Sequence, residues 1–114
     1  MEFPFHCMRE GDFMLAYEKK RNALIVRLSG ELDHEAAARI RRELDALVAD
    51  TGAKRLIFDL NGLEFMDSSG IGLIIGRYKL MARRGGSVAV FGSDARIDRI
   101  FEMAGLYQLV ERLA

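Results

Sequence analysis

Twice along this sequence a stretch with helical periodicity is followed by a short apolar run, and few architectures accept that pattern. Ala37, Ile40, Leu44, Leu47 and Val48 recur at helical spacing, with Arg39, Arg41, Arg42, Glu43 and Asp45 between them. This predicts an amphipathic helix of about four turns. Asp33 is placed to cap its start, because a carboxylate there accepts a bond from a free first-turn amide. Gly52 is placed to close it. Arg55 to Leu60 then reads as a strand. Its consecutive Leu56, Ile57 and Phe58 suit a parallel strand covered on both faces. A second helix should begin near Asp67 or Ser68 and run to Arg83 or Arg84, ended by Gly85-Gly86. Ser87 to Phe91 is the next buried strand. A third helix runs from a Ser93 or Asp94 cap through Met103 and stops at Gly105. Tyr107 to Val110 is expected as a last short strand.

Ahead of the first helix, Leu24, Val26 and Leu28 share one face of an alternating segment, Ala23 to Ser29. Met14 to Glu18 reads as its hairpin partner across the polar turn Lys19 to Asn22. Gly30-Glu31 and Asn61-Gly62 read as breaks. The order is therefore ββαβαβαβ. That implies an α/β fold in one domain, with a mixed, mostly parallel sheet of about four or five strands and right-handed crossovers. The N-terminal hairpin supplies the antiparallel part. Residues 1–13 show no clean period and read as an N-terminal extension to a domain over 14–114.

Composition narrows the function. The chain has 114 residues, with 17 Lys plus Arg against 17 Asp plus Glu. A formal net charge of zero argues against direct nucleic-acid binding, which needs a basic surface. Cys7 is the one cysteine, so no internal disulfide forms and no oxidising compartment is required. No apolar run approaches the roughly 18 residues of a membrane span. Met1 to Met14 is interrupted by Glu2, Arg9, Glu10 and Asp12, unlike a signal peptide. A cytoplasmic protein without membrane association is expected. His6 and Cys7 are adjacent and no metal-ligand spacing follows, so neither metal nor cofactor is expected.

The informative stretch is Phe65-Met66-Asp67-Ser68-Ser69-Gly70-Ile71-Gly72, where a strand gives way to a helix. Loops at the carboxyl ends of strands gather ligands and partners. A serine in the first helical turn lies near free amides and the positive end of the helix dipole. A phosphate there would add about −1.5 to −2 charge and be accommodated by the helix start. Asp67 would oppose it, but both can face water. The burden then falls on a partner docked over the helix, so the site suits a binding switch. Ile71, Ile74, Ile75 and Tyr78 form a stripe suited to packing on the sheet. Leu73 falls outside it, beside Gly72 and Gly76, which would give a partner a flat strip. Spacing alone somewhat favours the alternative, in which those glycines bring the helix close to its own sheet and Leu73 and Leu80 pack under loops.

From Met14 onward the chain resembles the STAS-domain family of anti-sigma factor antagonists, above all the sporulation members that oppose the anti-sigma F factor. Four ordered blocks carry the likeness: Leu28-Ser29-Gly30-Glu31-Leu32-Asp33-His34, Phe65 to Gly72, Gly76-Arg77-Tyr78-Lys79, and Phe101-Glu102-Met103-Ala104-Gly105-Leu106. The resemblance implies a regulatory binding protein and not an enzyme. Unphosphorylated, it would bind an anti-sigma factor that is also a serine kinase and so release the sigma factor. Phosphorylation of Ser68 would end the complex, and a serine phosphatase would restore it. Asp33 matches a family position implicated in kinase binding. Asp67, Ser69, Gly70, Gly72, Leu73 and Gly76 complete the expected partner-binding set.

The same residues admit other readings. Ser69 could be the acceptor or merely a cap. Gly70-x-Gly72-x-x-x-Gly76, with Asp94 beyond the next strand, is a near miss to a dinucleotide fingerprint. It leaves a small nucleotide-binding module or minor NTPase as an alternative. A STAS module of another pathway, such as general stress response or transport, is a third. Met66 stands where a nucleophile elbow needs glycine, so a serine hydrolase fails. His34 reads as a surface residue at a helix start. The Arg39, Arg41, Arg42 cluster reads as a solvated face, and the six methionines as core filler.

Overall fold

Six strands join into one sheet in sequential order in the computed structural model, which describes residues 6–113. They are β1 (His6–Glu10), β2 (Phe13–Lys20), β3 (Ala23–Leu32), β4 (Arg55–Met66), β5 (Ser87–Phe91) and β6 (Glu111–Arg112). The first three pair antiparallel, and β3 to β6 run parallel. Helices α1 (His34–Thr51), α2 (Ser68–Arg83) and α3 (Ala95–Met103) make the three crossovers. Each crossover steps the same way along the sheet, so right-handed connections put all three helices on one face.

Burial follows from that layering. Leu24, Val26 and Leu28 on β3, Leu56, Phe58 and Leu60 on β4, and Val88 and Val90 on β5 are buried in a single core. The intervening residues face the other side. Ile25 pairs with Ile57 there, both half-buried, and exposed Arg27 pairs with Asp59. The apolar run of β4 therefore does not signal helices on both faces. Asp59 is buried on the uncovered side because its carboxylate is fully engaged. Arg27 Nε donates to Oδ2 at 3.0 Å, and the Asn61 amide and side chain donate to Oδ1 at 3.0 and 2.8 Å.

Several boundaries differ from the sequence reading. The expected extension contains β1, which pairs with β2; residues 1–5 and the His6 and Cys7 side chains lie outside the described residues. Gly30-Glu31 and Asn61-Gly62 do not end their strands. Both pairs lie inside β3 and β4, where register shifts between Arg27 and Ser29 and between Gly30 and Glu31 absorb the irregularity. Gly62 lies so close to β3 that a Cβ on it would stand 2.7 Å from Ser29 Cβ. Helix α1 has 18 residues, about five turns, with Gly52 left-handed at its end as expected. Tyr107 to Val110 is not a strand. Leu106–Gln108 forms a 3-10 turn that drops Leu106 into the core, and β6 follows it.

The buried face of α2 is also rotated from the expected stripe. Gly70, Leu73, Ile74, Arg77 and Met81 are buried, while Ile71, Ile75 and Tyr78 are only half-buried. The reason is that α2 packs on α1 as well as on the sheet. Arg77, 7% exposed, lies against Asp45 of α1 with Nε–Oδ1 at 2.9 Å. The contact lacks hydrogen-bond alignment, and Arg77 Nη1 has no partner among the described residues. Burial lowers the guanidinium pKa, Asp45 counters that, and Arg41 adds to the lowering. Removing the anion should therefore matter more than removing the cation. Asp45→Ala is expected to cost about 1 kcal/mol, modest because the Asp45 side chain is 45% exposed. Arg77→Met, apolar and of similar length, leaves no unpaired buried cation and should cost less than Asp45→Ala. Urea unfolding midpoints of the two variants check the ordering.

Candidate functional site

The two longest strands place two helix starts side by side. Near the ends of β3 and β4, Glu31 lies opposite Phe65 and Leu32 opposite Met66. The chain leaves each strand through an aspartate with extended backbone, Asp33 and Asp67. The Asp33 carboxylate accepts from the Ala36 amide at 2.9 Å, and the Asp67 carboxylate accepts from the Ser69 amide at 2.9 Å. Both acids are thus N-caps at the carboxyl edge of a parallel sheet, where open α/β folds carry their sites. Asp67→Ala should lower stability by about 1 kcal/mol, while Asp67→Asn, an equally good cap, should lower it little. Chemical denaturation separates the two.

Ser68 is the first residue of α2 and is exposed. Its hydroxyl has no hydrogen-bond partner among the described residues. Ser69, half-buried, is different: its Oγ lies 3.0 Å from Nδ1 of His34, the first residue of α1. The strand pairing thus presents one serine hydroxyl to solvent and turns its neighbour toward the other helix.

The remaining expected residues divide between surface and interior. Asp33 and Gly72 are exposed, and Gly76 is half-buried. Neither Gly72 nor Gly76 has any atom within 4 Å of where a Cβ would stand, so the domain's own packing does not demand them. Gly70 is buried: a Cβ there would lie 2.3 Å from Met66 Cγ, so this glycine lets α2 rest on the strand end. Leu73 is buried in the core and does not form an exposed strip. It still reaches the floor of a cleft of about 310 Å³ between α1 and α2, lined with Ala37, Ala38, Arg41, Ser69, Gly72 and His34.

Two side chains outside the expected set border these residues. His34 was legible only as a helix-start residue, because its link to Ser69 depends on the β3–β4 register. Phe65, 42% exposed, stands in the motif beside Glu31 and Glu64, both exposed. The glycines Gly70, Gly72 and Gly76 lie within α2, so they do not form a phosphate-cradling loop ahead of a helix. Asp94 is engaged as the α3 cap, accepting from the Ile97 amide at 2.9 Å.

The STAS domain profile matches residues 14–114. An anti-sigma F factor antagonist of Paenibacillus polymyxa is 38% identical over 99 residues, covering 87% of this chain and 85% of the relative. The anti-sigma-B factor antagonist of Bacillus subtilis is 31% identical over 94 residues, covering 82% and 84%. Among solved structures, the anti-sigma factor antagonist SpoIIAA in its unphosphorylated form superposes with a TM-score of 0.77 at 28% identity, covering 88% of each chain. The Bacillus cell fate determinant SpoIIAA in its phosphorylated form gives a TM-score of 0.71 at 28% identity, covering 88% of this chain and 91% of that one.

Proposed function

The chain belongs to the STAS-domain family, and from that membership we propose that it is an anti-sigma factor antagonist switched by a phosphate on Ser68. Unphosphorylated, it binds an anti-sigma factor that is also a serine kinase, and the sigma factor is released. Phosphorylated, it lets go until a serine phosphatase restores the hydroxyl. It works in the cytoplasm and acts by binding, not by catalysis.

The observation that supports this reading is the exposure of Ser68 at the start of α2. A modification at that point touches no core residue and leaves both aspartate caps in place. The first-turn amides and the helix dipole offset part of the added charge. A partner lying over α2 has no such compensation unless it brings cations, and must bury an unmatched charge. SpoIIAA has been solved in unphosphorylated and phosphorylated forms, and this chain matches the fold of each.

The test is incubation with the cognate anti-sigma kinase and ATP, followed by mass spectrometry of peptides. One added phosphate on Ser68 is expected. Full labelling of a Ser68→Ala variant would remove Ser68 from its role. The likeness to sigma-B antagonists favours one second reading, in which the same switch serves a general stress response. Affinity measured against an anti-sigma F and an anti-sigma-B kinase separates the two.

A further inference from the structure

We propose that His34 is a positioning residue that reserves phosphoryl transfer for Ser68 by holding the Ser69 hydroxyl in the cleft between α1 and α2. The inference rests on the reading of Ser68 as acceptor and deepens it. Two serines stand side by side in the motif, and a kinase needs a means of choosing between them. The transfer is the same for either. The serine oxygen forms a bond to the γ-phosphorus of ATP, the bond from that phosphorus to the bridging oxygen breaks, ADP leaves, and the hydroxyl proton passes to a base or to solvent.

Geometry supplies the choice. The Ser68 hydroxyl is exposed and unpartnered among the described residues. Ser69 is held twice: its amide donates to Asp67 Oδ1 at 2.9 Å, and its hydroxyl meets His34 Nδ1 at 3.0 Å. Ser69 lines the cleft with Ala37, Ala38, Gly72 and Leu73. An incoming γ-phosphate would have to enter between the helices and displace the imidazole contact. In one tautomer Nδ1 accepts from Ser69, in the other it donates. The accepting form polarises the O–H and by itself would favour attack by Ser69. The same bond ties the oxygen to α1 beside the cleft that Ser69 lines, while no such bond holds the Ser68 hydroxyl among the described residues, and this restraint decides the outcome.

The experiment follows phosphorylation by the cognate kinase and ATP with site mapping in five proteins: wild type, His34→Ala, Ser68→Ala, and Ser68→Ala combined with His34→Ala or with His34→Asn. His34 is exposed, so its loss leaves the core untouched. Wild type should be labelled on Ser68, which tests the acceptor assignment, and the rate on Ser68 in His34→Ala reports any effect of His34 on kinase docking, against which labelling of Ser69 in the His34→Ala double variant is normalised. In the Ser68→Ala background, adding His34→Ala should raise labelling of Ser69 about tenfold, the ratio supported by a net hydrogen bond of about 1.4 kcal/mol. His34→Asn should return the rate to its low value, because the asparagine amide stands where Nδ1 stands. If Ser68 is labelled but Ser69 labelling is absent or unchanged without His34, the inference fails and the switch survives. If Ser69 labelling falls when His34 is removed, His34 activates Ser69, which also overturns the proposal. If wild type takes no phosphate on Ser68, the earlier reading fails and this one with it.

Discussion

Ser68→Asp is expected to fold as the parent does and to bind the anti-sigma kinase about a hundredfold more weakly. The two halves of that result have separate causes. Ser68 is exposed and its side chain takes no part in the Asp67 cap, which uses the Ser69 amide. An acidic side chain in the first turn of a helix is favourable by a few tenths of a kcal/mol. The circular dichroism spectrum and urea midpoint should therefore hardly move. In the complex the same carboxylate must be desolvated opposite a surface that fits a neutral hydroxyl. An unmatched buried charge costs about 3 kcal/mol, which is about two orders of magnitude in affinity. Titration calorimetry of parent and variant reads the affinity directly. Ser68→Ala, which adds no charge, should bind within a few-fold of the parent. A Ser68→Asp variant that binds as tightly as the parent would contradict the charge argument, and one that is unfolded would contradict the surface-switch argument.

The second large effect concerns Gly30, and it is on stability. Gly30 has φ of 86°, and a Cβ on it would stand 1.7 Å from the Asp12 carbonyl oxygen at the β1–β2 turn. Alanine would suffer both the left-handed strain of about 1–2 kcal/mol and a collision with backbone that is itself bonded, since the Glu31 amide donates to Asp12 O at 3.2 Å. Relief requires the start of β2 to move, although Phe13 and Leu15 anchor it in the core. Gly30→Ala should therefore lose about 4 kcal/mol or more, the range reserved for backbone strain and core disruption. A urea midpoint near that of the parent would show that the β3 bulge is softer than its geometry. The consequence reaches the site, because Gly30 lies three residues before Asp33 and four before His34.

The alternation of strands and helices, the Asp33 cap and the Gly52 stop were legible in the sequence because each is local, whereas the choice of Asp67 over Ser68 and of Asp94 over Ser93 as caps came from the structure. A carboxylate before an amphipathic run announces a helix start whatever the tertiary context. What escaped was non-local. Gly30, Asn61 and Gly62 look like punctuation, yet pairing between β3 and β4 keeps both strands going and absorbs the irregularity as bulges. Residues 6–10 carry no alternating pattern, yet they add an edge strand through main-chain bonds that need none. The α2 stripe was misaligned because periodicity shows which residues share a face, not that α1 would claim part of it through Asp45 and Arg77. The same limit applied at the site. Ser68, Asp67 and Asp33 could be named from the motif and cap chemistry, whereas His34 against Ser69 required knowing that two strand ends lie side by side. Leu73 looked available to a partner only because the second helix that buries it was not in view.

On the proposed function, one negative charge at the start of α2 abolishes a protein contact while the domain stays intact. The most direct measurement is the affinity for the anti-sigma kinase of one preparation before and after stoichiometric phosphorylation of Ser68, with the circular dichroism spectrum recorded for both. The account predicts superimposable spectra and an affinity lower by at least about a hundredfold. Equal affinity in the two states, or a phosphorylated domain that has lost its fold, would contradict it.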